Sequence, residues 1–267
     1  MRPVQFAFRS LIFGLMACAS SVAADEHLHS EVIFLGEVHD NPAHHDRQAE
    51  MVADIAPRAV VWEMLDAAEA AKITPDLAAD EAALAAALEW DQSGWPDFAM
   101  YYPIFAAADG AAQYGAQLPR DEARAVMGHS VGSVFGDSAS RFGLDSDLPE
   151  QQQTEREALQ MAAHCDALPA EMLPMMVDIQ RLRDAKLAAV ALLAFEETGG
   201  PVVVITGNGH ARLDWGAPAL LSLAAPDLRI FSLGQAEEGR AMPEGGFDKV
   251  EVSPAVDRGD PCAAFAD

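Results

Sequence analysis

The chain has 267 residues, 51% of them apolar, with 42 acidic against 17 basic side chains and a net charge of −25. That length suits one sizeable α/β domain, or one domain carrying a large insertion. The charge argues against nucleic acid and against anionic membrane surfaces as partners.

The first segment, 1–24, reads as an export signal. Arg2 and Arg9 are basic, 10–18 is a short apolar run, and small residues fill 19–24. The run is too short to span a membrane. Two exits are open. Cleavage after Ala23 or Ala24 gives a soluble periplasmic protein. Alternatively, Leu15-Met16-Ala17-Cys18 resembles a bacterial lipoprotein box, although Met16 is unusual there. Lipidation of Cys18 would then anchor the chain to a membrane, the outer membrane included. Cys165 and Cys262 are the cysteines left, and in an exported chain they predict one disulfide.

Further along, apolar runs predict strands at 31–35, 59–63 and 201–206, a weak strand at 115–118, and a last strand at 228–233. Helices are predicted at 44–55, 81–90, 102–113, 149–164, 169–198 and 217–224, the fifth interrupted near Pro174. The fold class is therefore α/β, with a mainly parallel sheet flanked by helices. Residues 25–120 and 199–267 make the core, and 121–198 is a mostly helical inserted subdomain. The tail from Gln235 is expected to wrap the surface.

If the strands are parallel, their carboxyl ends share one rim, where open α/β sheets bind ligands. Glu37, His39, Glu63 and His210 all fall at such ends. Two carboxylates and two imidazoles in one crevice are the makings of an acid–base site or a metal site. Glu63 ends a buried-type run, so it needs a partner, and a salt bridge to Arg120 is one solution. Gly207 and Gly209 predict positive-φ backbone close to a ligand. Asn41 is expected to cap the helix that follows, and His44 and His45 to lie on its surface. Gln180 and Asp184 share a helix face. Trp95, Tyr101 and Tyr102 either line the pocket or pack in the core. There is no P-loop, nucleophile elbow, CxxC or dinucleotide fingerprint.

Several short pieces in order resemble the ChaN-like haem-binding family, of the superfamily that includes the Tiki metalloproteases and the erythromycin esterases. They are Gly36-Glu37-Val38-His39-Asp40-Asn41, Glu63-Met64, Trp95 with Tyr102-Pro103, Leu118-Pro119-Arg120, Gln180-x-x-Arg183-Asp184 and Gly207-Asn208-Gly209-His210. The resemblance implies an α/β core with a helical subdomain, export, and a part in haem or iron acquisition. Haem needs an apolar slot and an axial His, Tyr, Met or Cys. Tyr101, Tyr102, His164, Met175 and Met176 are the candidates here, with Arg120 for an anionic group. On this reading the porphyrin lies against the inserted helices, and the Glu37/His39/Glu63/His210 cluster stays free for a divalent metal ion. The alternative is a metal-dependent hydrolase of esterase or protease type. Those four residues would then hold the metal, with Glu37 or Glu63 as general base toward its bound water. A homodimer is left open.

Overall fold

Runs of Val, Ile, Leu and Phe with no polar interruption cannot face water on either side, and here they form the middle of one parallel sheet. The computed structural model describes residues 26–259, 262 and 263. The predicted export signal at 1–24, Cys18 included, lies outside them. Six strands, β1 (Val32–Glu37), β2 (Ala59–Trp62), β3 (Ala112–Gly115), β4 (Val202–Gly207), β5 (Ile230–Glu237) and β6 (Lys249–Ser253), are arranged in the order β3-β2-β4-β1-β5-β6. All neighbours pair in parallel. From β1 the chain moves outward to β2 and β3, then returns and moves the other way through β4, β5 and β6. The neighbours β1 and β4 therefore flank the topological switch point.

Side chains alternate between two cores. Ile33, Leu35, Val60, Trp62, Val203 and Ile205 pack on one face, beneath the helices Pro42–Ile55 and Phe98–Ala107. Val32, Phe34, Val61, Val202 and Val204 pack on the other, beneath the 26-residue helix Leu173–Thr198 and the helix Ala217–Ala224. The segment 121–198 was expected as an inserted helical subdomain. Its longest helix packs directly on the sheet and runs without interruption past Pro174, which sits in the first turn where a missing N–H costs nothing. Among the described residues no helix is long and apolar enough to cross a membrane.

Two elements depart from expectation. The predicted helix at 102–113 begins earlier, at Phe98, where Asp97 accepts from the Ala99 N–H, and ends at Ala107, so that 112–115 becomes β3. The tail does not merely wrap the surface: β5 continues to Glu237, and Lys249–Ser253 pairs with its second half.

Cys165 follows the helix Glu150–Ala163 and is bonded to Cys262, with Cα atoms 5.5 Å apart and a sequence separation of 97. A loop of that length gives a chain-entropy stabilisation of about 4–5 kcal/mol. The oxidised protein should show no alkylatable Cys165 or Cys262 thiol by intact mass. Cys262→Ser should lower unfolding stability in urea by about 2–5 kcal/mol. Two free thiols in the non-reduced protein would refute the bridge.

Candidate functional site

The register of β1 against β4 sets Glu37 opposite Gly207. Strand parity then sorts the acids. Glu37 follows Ile33 and Leu35 onto the Phe98–Ala107 side of the sheet, while Glu63 follows Val61 onto the Leu173–Thr198 side. Two polar networks result, one from each layer, meeting at the switch point.

On the first side, His39 Nδ1 donates to Glu37 Oε1 at 2.7 Å, and the Tyr101 hydroxyl donates to the same oxygen at 3.0 Å. His45 Nε2 donates to the His39 carbonyl at 2.8 Å. Its Nδ1 lies 3.4 Å from Glu37 Oε2, and neither of those buried atoms has a hydrogen-bond partner. Trp95 packs its ring on His39, with centroids 4.9 Å apart. Burial works against a charge on His39. The Glu37 hydrogen bond and the fields of Glu63, Glu37 and Asp40 outweigh it and raise its pKa to about 9. Among the described residues His39 Nε2 has no hydrogen-bond partner.

On the second side, His210 stands between two carboxylates. Its Nδ1 donates to Asp184 Oδ1 at 2.6 Å, and its Nε2 lies 3.5 Å from Glu63 Oε1. Glu63 Oε2 accepts from the Thr206 hydroxyl at 2.6 Å and the Gly207 N–H at 2.8 Å. Burial alone would raise the Glu63 pKa, but His210, His39 and these two donors bring it down to about 2. Burial also disfavours a charged His210, and the flanking Glu63 and Asp184 carboxylates reverse that and raise its pKa.

The Gly207–His210 turn is built for this meeting. Gly207 has an ordinary φ of −66°, so the expected positive φ is not its reason. A Cβ there would lie 2.8 Å from His39 Nε2. Gly36 is constrained similarly, since a Cβ would strike Asn208 Oδ1 and the Leu233 carbonyl. That close approach lets Asn208 act as a strand partner, accepting from the Gln235 N–H at 2.9 Å and donating to the Gln235 carbonyl at 2.7 Å.

A cavity of about 600 Å³ opens over this edge. His39, His210, Asp184, Gln180 and Gln235 line its floor, and Arg156, Leu159, Gln160, Ala163, Val177 and Trp215 form a wall. The structure thus brings Glu37, His39, Glu63 and His210 together. It corrects other expectations. Glu63 pairs with His210, Thr206 and Gly207, while Arg120 is exposed at the start of a short helix. His44 and His45 are fully buried, because they face the end of β5 and Tyr101 rather than water. Tyr101 is enclosed, with its hydroxyl spent on Glu37. Tyr102 packs on the same face of the sheet, and Met175 on the opposite one, so they do not share a surface. None of Tyr101, Tyr102, His164, Met175, Met176 and Arg120 lines the cavity. Among the described residues no group of three or more His, Cys, Asp or Glu is arranged to hold a metal ion. The physical reason is that the four cluster residues are bonded to one another and to Tyr101, Thr206 and Asp184.

The profile of a family described as haem-binding uptake, Tiki superfamily, ChaN matches residues 23–221. Among solved structures, ChaN of Campylobacter jejuni, determined for its cofacial haem binding, is similar at 19% identity over 82% of this chain and 87% of that one, with a TM-score of 0.62. The type III effector HopBA1 follows at 13% identity, 85% and 89% coverage and a TM-score of 0.46. A Bacillus cereus protein has 11% identity, 89% and 74% coverage and a TM-score of 0.38. No curated protein matches the chain.

The depressed Glu63 fixes a sign for acid unfolding. Its folded pKa of about 2 lies below the ordinary 4.5. Its stabilising contribution is therefore complete above about pH 4.5 and lost as pH falls toward 2. That contribution is on the order of 3 kcal/mol. Urea midpoints should fall through this window, and Glu63→Gln should flatten the fall. An unchanged acid limb in Glu63→Gln would refute the assignment.

Proposed function

This chain belongs to the haem-binding uptake family ChaN of the Tiki superfamily, and we propose that it binds haem in the cavity at the carboxyl edge of its sheet. The observation that carries the reading is the state of His39. One imidazole nitrogen is held by Glu37, and the other faces the cavity beside a glycine that leaves it room; with a pKa of about 9 it carries a proton that iron would have to displace. A histidine held at Nδ1 by a carboxylate has a fixed ring and a basic Nε2, which suits an axial ligand of haem iron. His210 suits that role less, since both of its nitrogens face carboxylates. Haem, when bound, would supply an iron centre able to accept a protein ligand. The chain supplies His39 to hold it, Glu37 and Tyr101 to orient His39, and Leu159, Ala163 and Val177 as apolar contact.

Export and a part in haem uptake belong to the same proposal. The basic and apolar 1–24 segment supports it, as does the Cys165–Cys262 bridge, which needs an oxidising compartment. The metal-dependent hydrolase reading has less support, because the carboxylates that would bind the metal are engaged in the two imidazole networks.

Titration of the purified protein with ferric haem should give a saturable Soret shift. His39→Ala should change the Soret position and weaken binding at least about tenfold, and Glu37→Gln should weaken it by about 10–100-fold, the usual effect of losing a carboxylate behind a ligating imidazole. Gly207→Ala should act like His39→Ala on binding, because its Cβ displaces the His39 ring from the position in which Glu37 holds it. Haem spectra identical in wild type and His39→Ala would refute His39 as the ligand. Absence of a Soret shift in the wild type would refute the reading as a whole.

A further inference from the structure

Arg156 lies in the cavity wall, and among the described residues its guanidinium meets no carboxylate at bonding distance. The residue is only 8% exposed, and its Nε is fully buried without an acceptor. The two guanidinium groups whose fields reach it are spent. Arg212 makes two bonds to Asp214, at 2.6 and 2.7 Å, and Arg181 bonds to Asp178 and to the Ser146 carbonyl. The Asp184 carboxylate, whose field reaches Arg156, is bonded to His210 instead. Burial lowers the Arg156 pKa only to about 10, so the group is still a cation at neutral pH. In a chain of net charge −25, a buried guanidinium without a carboxylate is out of keeping with the supply of partners.

What surrounds it indicates the missing partner. Arg156, Leu159, Gln160 and Ala163 recur at helical spacing on the helix Glu150–Ala163, and all four line the cavity. The same wall is thus cationic at one point and apolar beyond it. The Trp215 ring is 5.0 Å from the Arg156 guanidinium carbon and 3.8 Å from that of Arg212, which limits the planes the fork can adopt. A planar fork held in this way matches a carboxylate in geometry and charge.

We propose that Arg156 is the carboxylate-binding subsite of the cavity and takes a propionate arm of the porphyrin. This rests on the haem reading above. It assigns Arg156 a ligand contact that is independent of iron and of His39.

The test uses metal-free protoporphyrin, which keeps both carboxylates and lacks the iron, beside its uncharged dimethyl ester. Affinities are measured by absorbance titration on wild type, Arg156→Gln and Arg156→Lys, with haem titrated in parallel and folding followed by near-UV circular dichroism. The wild type should favour the free acid over the ester by about tenfold or more, as expected of a charged hydrogen bond. Arg156→Gln should lose that preference and keep its affinity for the ester within about twofold. Arg156→Lys should retain part of the preference, because an ammonium keeps the charge without the fork. A wild type that binds haem but does not distinguish acid from ester overturns the subsite and leaves the haem reading standing. Equal weakening of acid and ester by Arg156→Gln also overturns it, by showing that Arg156 serves only to pack Trp215. Binding of neither haem nor porphyrin by the wild type overturns both.

Discussion

The pairing of β1 with β4 is the constraint on which the site depends. These strands are neighbours in the sheet although about 170 residues separate them in the chain, and the connections leaving them run in opposite directions. A cavity opens over their carboxyl ends, walled on one side by the helix Glu150–Ala163. Because side chains alternate, a one-residue slip between β1 and β4 would exchange Glu37 for a residue of the other face. Continuous burial of both strands keeps the register. The network of Tyr101, Glu37 and His39 is thus built by one layer, and that of Asp184, His210 and Glu63 by the other. Gly207 is the point where they touch.

Stability does not account for so many charges at this edge. A buried ion pair returns little beyond its own desolvation cost, whereas removing one partner costs about 3–5 kcal/mol. Apolar residues of the same volume would serve the fold as well. The arrangement makes sense as preorganisation. His39 is fixed by Glu37, by the Trp95 ring and by the lack of a Cβ at Gly207, so it presents one nitrogen in one direction. The unpartnered atoms point the same way. Among the described residues Glu37 Oε2, His45 Nδ1, Gln48 Oε1, Trp95 Nε1 and Arg156 Nε are buried without a hydrogen bond, and Glu37, His45 and Trp95 belong to the residues around His39. Such groups concentrate where a structure serves a ligand rather than its own core.

The parts legible in the sequence are those written in consecutive residues. Buried strands appear as apolar runs, and Glu37, Glu63 and His210 stand out because each follows one. Asn41 announces its cap, where its side chain accepts from the Ala43 N–H. What was not legible depends on partners distant in the chain. His44 and His45 look like surface residues on a first helical turn. They are buried because β5 supplies the Ala236 carbonyl and the helix Phe98–Ala107 supplies Tyr101. Tyr101 suggests a haem ligand until Glu37 is seen to take its hydroxyl. β6 was hidden by the Gly- and Pro-rich stretch before it, though the alternation in Lys249–Ser253 is a strand signal on closer inspection. Arg156 had a readable cue too, an arginine followed at helical spacing by Leu159 and Ala163, but only the cavity shows that no acid meets it.

The net charge of the chain and the sign of its cavity point in different directions, and local geometry decides between them. A charge of −25 spread over the surface acts on an approaching ligand through water and salt, and fades over about 8–10 Å. Inside the cavity the dielectric is lower, and a contact at hydrogen-bond distance outweighs many distant charges. The acids on the cavity floor are already compensated: Glu37 by His39 and Tyr101, Glu63 by His210, Thr206 and Gly207, Asp184 by His210. Glu237, at the cavity's edge, is held by Arg258 and Asn41. Arg240 and Glu244 also line the cavity but are exposed to water, whereas Arg156 is buried and has no such partner among the described residues. A composition that excludes polyanions from the surface is therefore compatible with a single anionic arm within, because the relevant charge is the one left unpaired beside an apolar wall.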